Sequence, residues 1–369
     1  MTAPLADANN EWDDDVSDVS SVHNNSVVST VPDKHGFFGG SQYCPESEKP
    51  NDRKKILKRE KKWLHMLEDW QNYMDKHHKT VRERCRKGIP ASIRPRAWLF
   101  LCGGKLLLDK HPYLYSDLLK KEGDPRWIDD ITKDLHRQFP DHEMFASQQG
   151  YGQRDLFDLL KAYSLLNPVV GYCQAQAPIA AFLLMHMPAE EAFWCFVSVC
   201  DKYLTGYFSQ GMEGIKLDGD ILFGLLKKVA PEIYKHLKKQ TIEPILYMTP
   251  WFLCVFIRTL PWDTLLRVWD MFLVEGVKII FKMAIVLMKL SLHGKHKTSY
   301  SVIKKKHPTM YETLEALRNP PFEELRKEDE IVNLILKLNL TDEDFDYEHI
   351  RQLRKRRTQQ NRQNAAAAR

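Results

Sequence analysis

Ile131-Thr132-Lys133-Asp134-Leu135-His136-Arg137 opens, and Asn167-Pro168-Val169-Val170-Gly171-Tyr172-Cys173-Gln174 nearly closes, the stretch 131–176 around which this chain is organised. In the first segment Ile131 and Leu135 stand one helical turn apart, while Asp134 and Arg137 share a neighbouring face. Burying the apolar pair therefore presents Arg137. Between the segments Leu156, Leu159, Leu160, Tyr163 and Leu166 recur at helical spacing, and Asn167-Pro168 stops that helix. Gly171 then lets the backbone turn sharply, so that Tyr172 and Gln174 project on the same side.

Outward from this stretch the pattern is helical throughout. Apolar residues at helical spacing predict helices over 177–187, 189–203, 217–229, 251–260, 265–273 and 278–292. Leu217, Ile221, Leu225 and Val229 form one unbroken row. Strict alternation nowhere persists for six residues, so strands are not indicated. Pro188, 211–214, Asp218-Gly219, Pro231, Pro244, Pro250, Pro261 and Gly276 read as the loops between helices. The fold class is all-α, with helices packed in layers.

Upstream, 51–85 carries Ile56, Trp63, Leu67, Trp70, Met74 and Val81 as a helical stripe expected to pack on the main domain, 86–295. Downstream, within 296–340, the span 308–340 is expected to add one or two helices, with Leu314, Leu317, Ile331, Leu334, Ile335 and Leu338 as their apolar positions. The rest, 341–369, is a charged tail read as an exposed helix or as disordered. Residues 1–50, rich in Asp, Ser and Asn without period, read as a disordered acidic tail. Asp13-Asp14-Asp15 with Ser17, Ser20 and Ser21 fits an acidophilic phosphorylation site, or simply a solvated tail.

Bulk properties exclude several classes. At 369 residues the chain can bury one core of about 200 to 250 residues with flanking segments. A net charge of +5 against 54 basic and 49 acidic residues gives no global field calling for nucleic acid. Seven scattered cysteines without paired metal spacing read as reduced thiols, with no metal site. No apolar run approaches the about 20 residues of a membrane span, and 1–12 lacks a secretory h-region, so a cytoplasmic protein is expected. Local basic segments, 53–62 and 351–357, suit weak contact with an anionic membrane or a solvated face. Gly103-Gly104-Lys105 fails as a phosphate loop, because Leu99 and Leu106 occupy the positions that pattern reserves for Gly and Ser or Thr.

Taken alone, the candidate residues have ordinary accounts. An arginine three residues after an aspartate is commonly a surface ion pair of little worth, and Gln174 could cap loop backbone. A hydrolase built from Cys173, His136 and Asp134 lacks both a local cysteine-nucleophile signature and a helix N-terminus to activate the thiol. Composition and spacing stop at an α-helical domain with a polar loop.

The arrangement Ile131-x-x-Asp134-x-x-Arg137, followed by Ala162-Tyr163-Ser164-x-x-Asn167-Pro168-x-Val170-Gly171 and Tyr172-x-Gln174, resembles the TBC domain of Rab GTPase-activating proteins. Flanking matches support it: Arg86-Lys87-Gly88-Ile89-Pro90 and Arg94-Pro95-Arg96-Ala97-Trp98 upstream, Pro250-Trp251-Phe252 and Arg267-Val268-Trp269-Asp270 downstream. The resemblance runs from about Arg86 to His293. Met187 to Phe196, Met-Pro-Ala-Glu-Glu-Ala-Phe-Trp-Cys-Phe, most resembles the subfamily of PDZ-interacting, ezrin-scaffold-associated TBC proteins.

The resemblance implies a two-lobed helical fold and an enzyme activator rather than an enzyme. Its partner would be a GTP-bound Rab, recruited in vesicle traffic at endosomal, secretory or plasma membranes. GTP and Mg would belong to the Rab, and the chain would need no cofactor of its own. Arg137 would stabilise charge at the γ-phosphate and Gln174 would position the attacking water. Asp134, Tyr172, Ile131 and Gly171 would support them, while Arg86 and Arg94 would either pair with carboxylates in the fold or contact the GTPase. A catalytically silent platform for a small GTPase is the alternative. Two departures stand out: Ala175-Gln176 replaces the family's Gly-Met after the glutamine, which predicts a stiffer loop, and Ala366-Ala367-Ala368-Arg369 offers no hydrophobic residue to a PDZ pocket.

Overall fold

The computed structural model describes residues 29–43, 53–147, 150–294 and 298–367. Among them no strand forms, only an isolated antiparallel bridge between Phe37 and His142. The helices α1 (Arg53–Glu68), α2 (Trp70–Lys76) and α3 (His78–Arg86) lead into α4 (Arg94–Cys102), α5 (Gly104–Lys110) and α6 (Leu114–Leu119). Next come α7 (Pro125–Leu135), α8 (Tyr151–Leu166), α9 (Gln176–Leu184) and α10 (Ala189–Ser198), the last running into a π-helical turn, Val199–Tyr203. These pack as a first lobe, with α10 lying against α4, α5, α8 and α9.

The second lobe comprises α11 (Glu213–Val229), α12 (Pro231–Lys239) and α13 (Ile245–Leu253), then α15 (Lys278–His293), α16 (Tyr300–Lys306) and α17 (Met310–Arg318). Four more helices complete the chain: α14 (Trp262–Glu275), α18 (Phe322–Leu325), α19 (Glu328–Lys337) and α20 (Asp342–Ala367). Helix α14 joins the lobes, touching α3 and α4 on one side and α15 and α19 on the other. Its aromatic side chains explain the join. Trp269 lies 4.7 Å from Phe182 of α9 and 5.8 Å from Trp98 of α4, centroid to centroid, so one apolar cluster spans three helices.

A buried polar lock fixes the same junction. Asp270, fully buried, accepts from Ile89 N at 2.7 Å, Trp98 Nε1 at 2.8 Å and Arg94 Nε at 3.1 Å. A buried carboxylate is stable only when so satisfied. Arg86 makes the companion pair, with Nε 2.7 Å from Glu275. Both arginines thus tie α3 and α4 to α14.

Several expectations need correction. The disordered reading of 1–50 fails over 29–43, where Phe37 is buried with its ring 4.8 Å from Trp262 and 4.9 Å from His142. Phe38 N and Glu143 N bond across to Asp141 O and Gly36 O, and Lys34 and His35 pair with Asp263. One buried aromatic anchors a segment that average composition describes poorly. Residues 1–28, including the Asp13–Ser21 cluster, and 44–52 lie outside the described residues. The single stripe over 53–81 is broken into three helices, although Trp63, Leu67 and Val81 are buried as expected. Asp218-Gly219 lies inside α11 rather than in a loop: a Cβ at Gly219 would crowd Met248 of α13 and Pro244 just before it. The span 251–260 is not a helix: α13 ends at Leu253, and Val255 and Phe256 turn left-handed. The tail is a helix docked on α11, not a free segment, with Phe345, Glu348 and Gln352 buried.

Candidate functional site

Asp124 caps α7 by accepting from Arg126 N at 3.0 Å, and Pro125 fits the first turn because its missing N–H has no helical partner there. The helix buries Ile131 and Asp134 on its inner face and ends at Leu135. Arg137 is therefore not on the helix, as its spacing suggested, but in the turn just past it. Phe139, at φ 47°, and Pro140 make the helix impossible to continue.

On the facing loop, α8 stops at Leu166, and Gly171 N returns to Asn167 O at 2.8 Å. Gly171 adopts φ 63°, and a Cβ there would collide with the Trp127 indole of α7. The loop can lie on α7 only because this residue has no side chain. That contact brings Tyr172 over Asp134.

Asp134 is the centre of the site. One carboxylate oxygen accepts from Arg137 Nη2 and the other from the Tyr172 hydroxyl. Burial, then the Asp134 hydrogen bond and charge, drives the Tyr172 phenol far above its ordinary range, so it stays a donor. With its amide oxygen turned to the guanidinium, Gln174 accepts from Arg137 Nη1 at 2.7 Å and also from Nη2. Arg137 and Gln174 are both exposed, whereas Asp134 and Tyr172 beneath them are buried. The result is a cation and an amide held side by side on the surface, able to act on a group brought by another molecule.

The remaining candidates sort by geometry. Ile131 is fully buried and anchors α7. Arg86 and Arg94 lie in the fold-pairing contacts already described. Ala175 sits at φ −67°, ψ −12°, a conformation any residue adopts, so the missing glycine leaves this backbone unstrained. Gln176, which sequence reading left without a role, is the loop-capping amide: fully buried, it accepts from Cys173 N at 3.0 Å. The hydrolase arrangement finds no support, because both Asp134 oxygens are taken and burial raises the Cys173 thiol. Among the described residues no group of three His, Cys, Asp or Glu side chains is placed to hold a metal ion. No helix of the described residues is long and apolar enough to cross a membrane.

Sequence reading also missed Gln138 and Arg258. Gln138 is buried beside Arg137, and Arg258 reaches it from the turn after α13. Their link spans 120 positions, and no local pattern announces it.

Residues 91–295 match the Rab-GTPase-TBC domain family. The chain is 53% identical to the Drosophila melanogaster protein TBC1 domain family member whacked, over 93% of this chain and 93% of that protein. It is 49% identical to TBC1 domain family member 10B of Mus musculus, over 92% of this chain but 42% of that protein. It thus spans nearly all of one relative and less than half of the other. Among solved structures, the TBC domain of a Chlamydomonas flagellar RabGAP aligns over 83% of this chain with a TM-score of 0.61 at 24% identity, a likeness of fold. The chain belongs to the Rab-GTPase-TBC domain family and, within it, resembles the TBC1 domain family member 10 proteins.

Proposed function

We propose that this chain accelerates GTP hydrolysis by a Rab GTPase, supplying Arg137 and Gln174 to the nucleotide in trans. The observation that carries this is the clasp at Asp134. An exposed guanidinium and an exposed amide are bonded to each other and fixed from below by a buried carboxylate and Tyr172. Phosphoryl transfer develops charge on the γ-phosphate oxygens and needs an oriented water, and an arginine finger contributes about 10³ to 10⁵ in rate. Arg137 has the planar fork that bridges phosphate oxygens, and Gln174 has an amide that can hold water at hydrogen-bond distance. GTP and Mg are the partner's, and the chain brings no cofactor. In this reading it works in the cytoplasm and reaches traffic membranes through its partners.

The test is phosphate release across a panel of GTP-loaded Rabs with the wild type and Arg137→Ala. At least one Rab is expected to be stimulated, and Arg137→Ala to lose about 10³-fold or more of that stimulation. Arg137→Ala leaves the buried Asp134 carboxylate with Tyr172 as its remaining side-chain partner, so the thermal midpoint is expected to fall as well, and stimulation is compared at temperatures where both proteins are folded. Arg137→Lys should recover little, because it lacks the fork. An Arg137→Ala variant with near wild-type stimulation would remove the arginine from the mechanism.

A further inference from the structure

The turn joining α13 to α14 is strained where nothing in its sequence demands it. Val255 and Phe256 lie at φ 47° and 61°, a region that β-branched and aromatic residues avoid, and both are fully buried. The surroundings enforce the shape. Phe256 N donates to Trp251 O at 2.8 Å, and Trp269 Nε1 donates to Val255 O at 3.2 Å.

This conformation aims two side chains at the candidate site. Cys254 Sγ lies 3.7 Å from the carbonyl of Ala175, the residue after Gln174. Arg258 Nη2 donates to Gln138 Oε1 at 2.8 Å, and Gln138 Nε2 donates to the Asp134 carbonyl at 3.0 Å. That carbonyl belongs to the last turn of α7, where the helix leaves its acceptors without intrahelical donors. Gln138 is 1% exposed and has both ends of its amide engaged, so its orientation is fixed. Arg258 is exposed, yet its hydrogen bond goes inward to this buried amide.

We propose that Arg258 and Gln138 are positioning residues, through which the α13–α14 turn holds the end of α7 and so sets where Arg137 stands. The proposal rests on the activating function above. Neither residue touches the nucleotide in this reading. They act through Arg137, and a displacement of about 1 Å in a reacting group can cost about 100-fold in rate.

The test has two arms. With a Rab that the wild type stimulates, Arg258→Ala is expected to lower kcat about 10- to 100-fold while KM stays within about twofold. Arg258→Lys should restore most of the loss, since an ammonium can still donate to the amide oxygen. Adding Gln138→Leu to Arg258→Ala should cost little more, because the two act in series. The second arm needs no GTPase. Hydrogen exchange over 132–142 should speed up about tenfold in Arg258→Ala while the other helices exchange as in the wild type. A raised KM with unchanged kcat would make Arg258 a direct partner contact and overturn the proposal, as would unchanged kcat or unchanged exchange over 132–142. If the wild type stimulates no Rab, the proposed function fails and the exchange arm alone decides whether the relay holds α7.

Discussion

At the scale of single residues, the site is one carboxylate with two clients. Asp134 cannot serve Arg137 and Tyr172 at once unless the 167–174 loop lies directly on α7, and Gly171 is what permits that approach. Gly171→Ala meets two penalties, a left-handed backbone and a collision with Trp127. It is expected to destabilise the chain by about 1–3 kcal/mol and to reduce activation by more than its stability loss explains, because Tyr172 and Gln174 would lift together. Urea unfolding alongside the hydrolysis assay checks this. An unchanged midpoint would mean that the loop shifts off the indole without cost. Gln174 and Gln176 show where sequence stops at this scale. Two glutamines stand two apart, either could cap the loop, and only their opposite burial assigns one to the surface and the other to the backbone of Cys173.

At the scale of elements, most helices were legible because each buries an apolar stripe, and their ends were less so. The i, i+3 spacing of Arg137 from Asp134 continues the helical pattern of α7, and the ion pair forms, but the helix ends at Leu135, ahead of Phe139 and Pro140. The apolar run after Trp251 keeps helical spacing through Leu260 even though the backbone turns at Val255, because a turn buried over 251–257 needs apolar residues too. Charge misled the reading of 341–369 in the other direction. Helix α20 docks on α11 by placing Glu348 over Gly224, where any Cβ would collide with its carboxylate, and Arg356 bonds Asp220 at 2.9 Å. This interface carries a pH dependence. Asp218 of α11, bonded to the Tyr207 hydroxyl, has its carboxyl pushed up to about 6, chiefly by burial, against the opposing pull of that bond and of His349 and Arg356 on α20. A folded value above the ordinary 3.8 means the folded chain holds this proton more tightly. The contribution is therefore complete below about pH 4 and is lost as pH rises through 6. Asp218→Asn, which keeps an acceptor for Tyr207, is expected to gain about 2 kcal/mol over the wild type at pH 7.5 and nothing at pH 4. Denaturant midpoints at the two pH values measure it, and an equal difference at both would mean that ionisation of Asp218 is not responsible.

At the scale of the whole molecule, the two lobes meet at α14, and the turn leading into it braces the site from behind, so Arg137 and Gln174 sit on a rigid support rather than on a free loop. Sequence could pair these two residues only through family resemblance, since they come from different elements, and nothing local says that α7 and the 167–174 loop touch. Their proximity has a consequence for the partner. In GTPases such as Ras the water-orienting glutamine belongs to the GTPase. If Gln174 takes that role, the partner's own glutamine becomes dispensable while Gln174 does not. With its amide oxygen turned to the guanidinium, Gln174 accepts from Arg137, so the two polar groups stand side by side before any partner binds. Phosphate release is then measured for the four combinations of wild-type and Gln174→Ala chain with wild-type and switch-glutamine-to-alanine Rab. Substantial stimulation is expected with the altered Rab and wild-type chain, and a loss of about 100-fold or more with Gln174→Ala on either Rab, the scale of removing one preorganised polar group from a transition state. Should the Rab glutamine prove indispensable while Gln174→Ala is nearly silent, Arg137 alone enters the nucleotide site and Gln174 serves to hold its guanidinium.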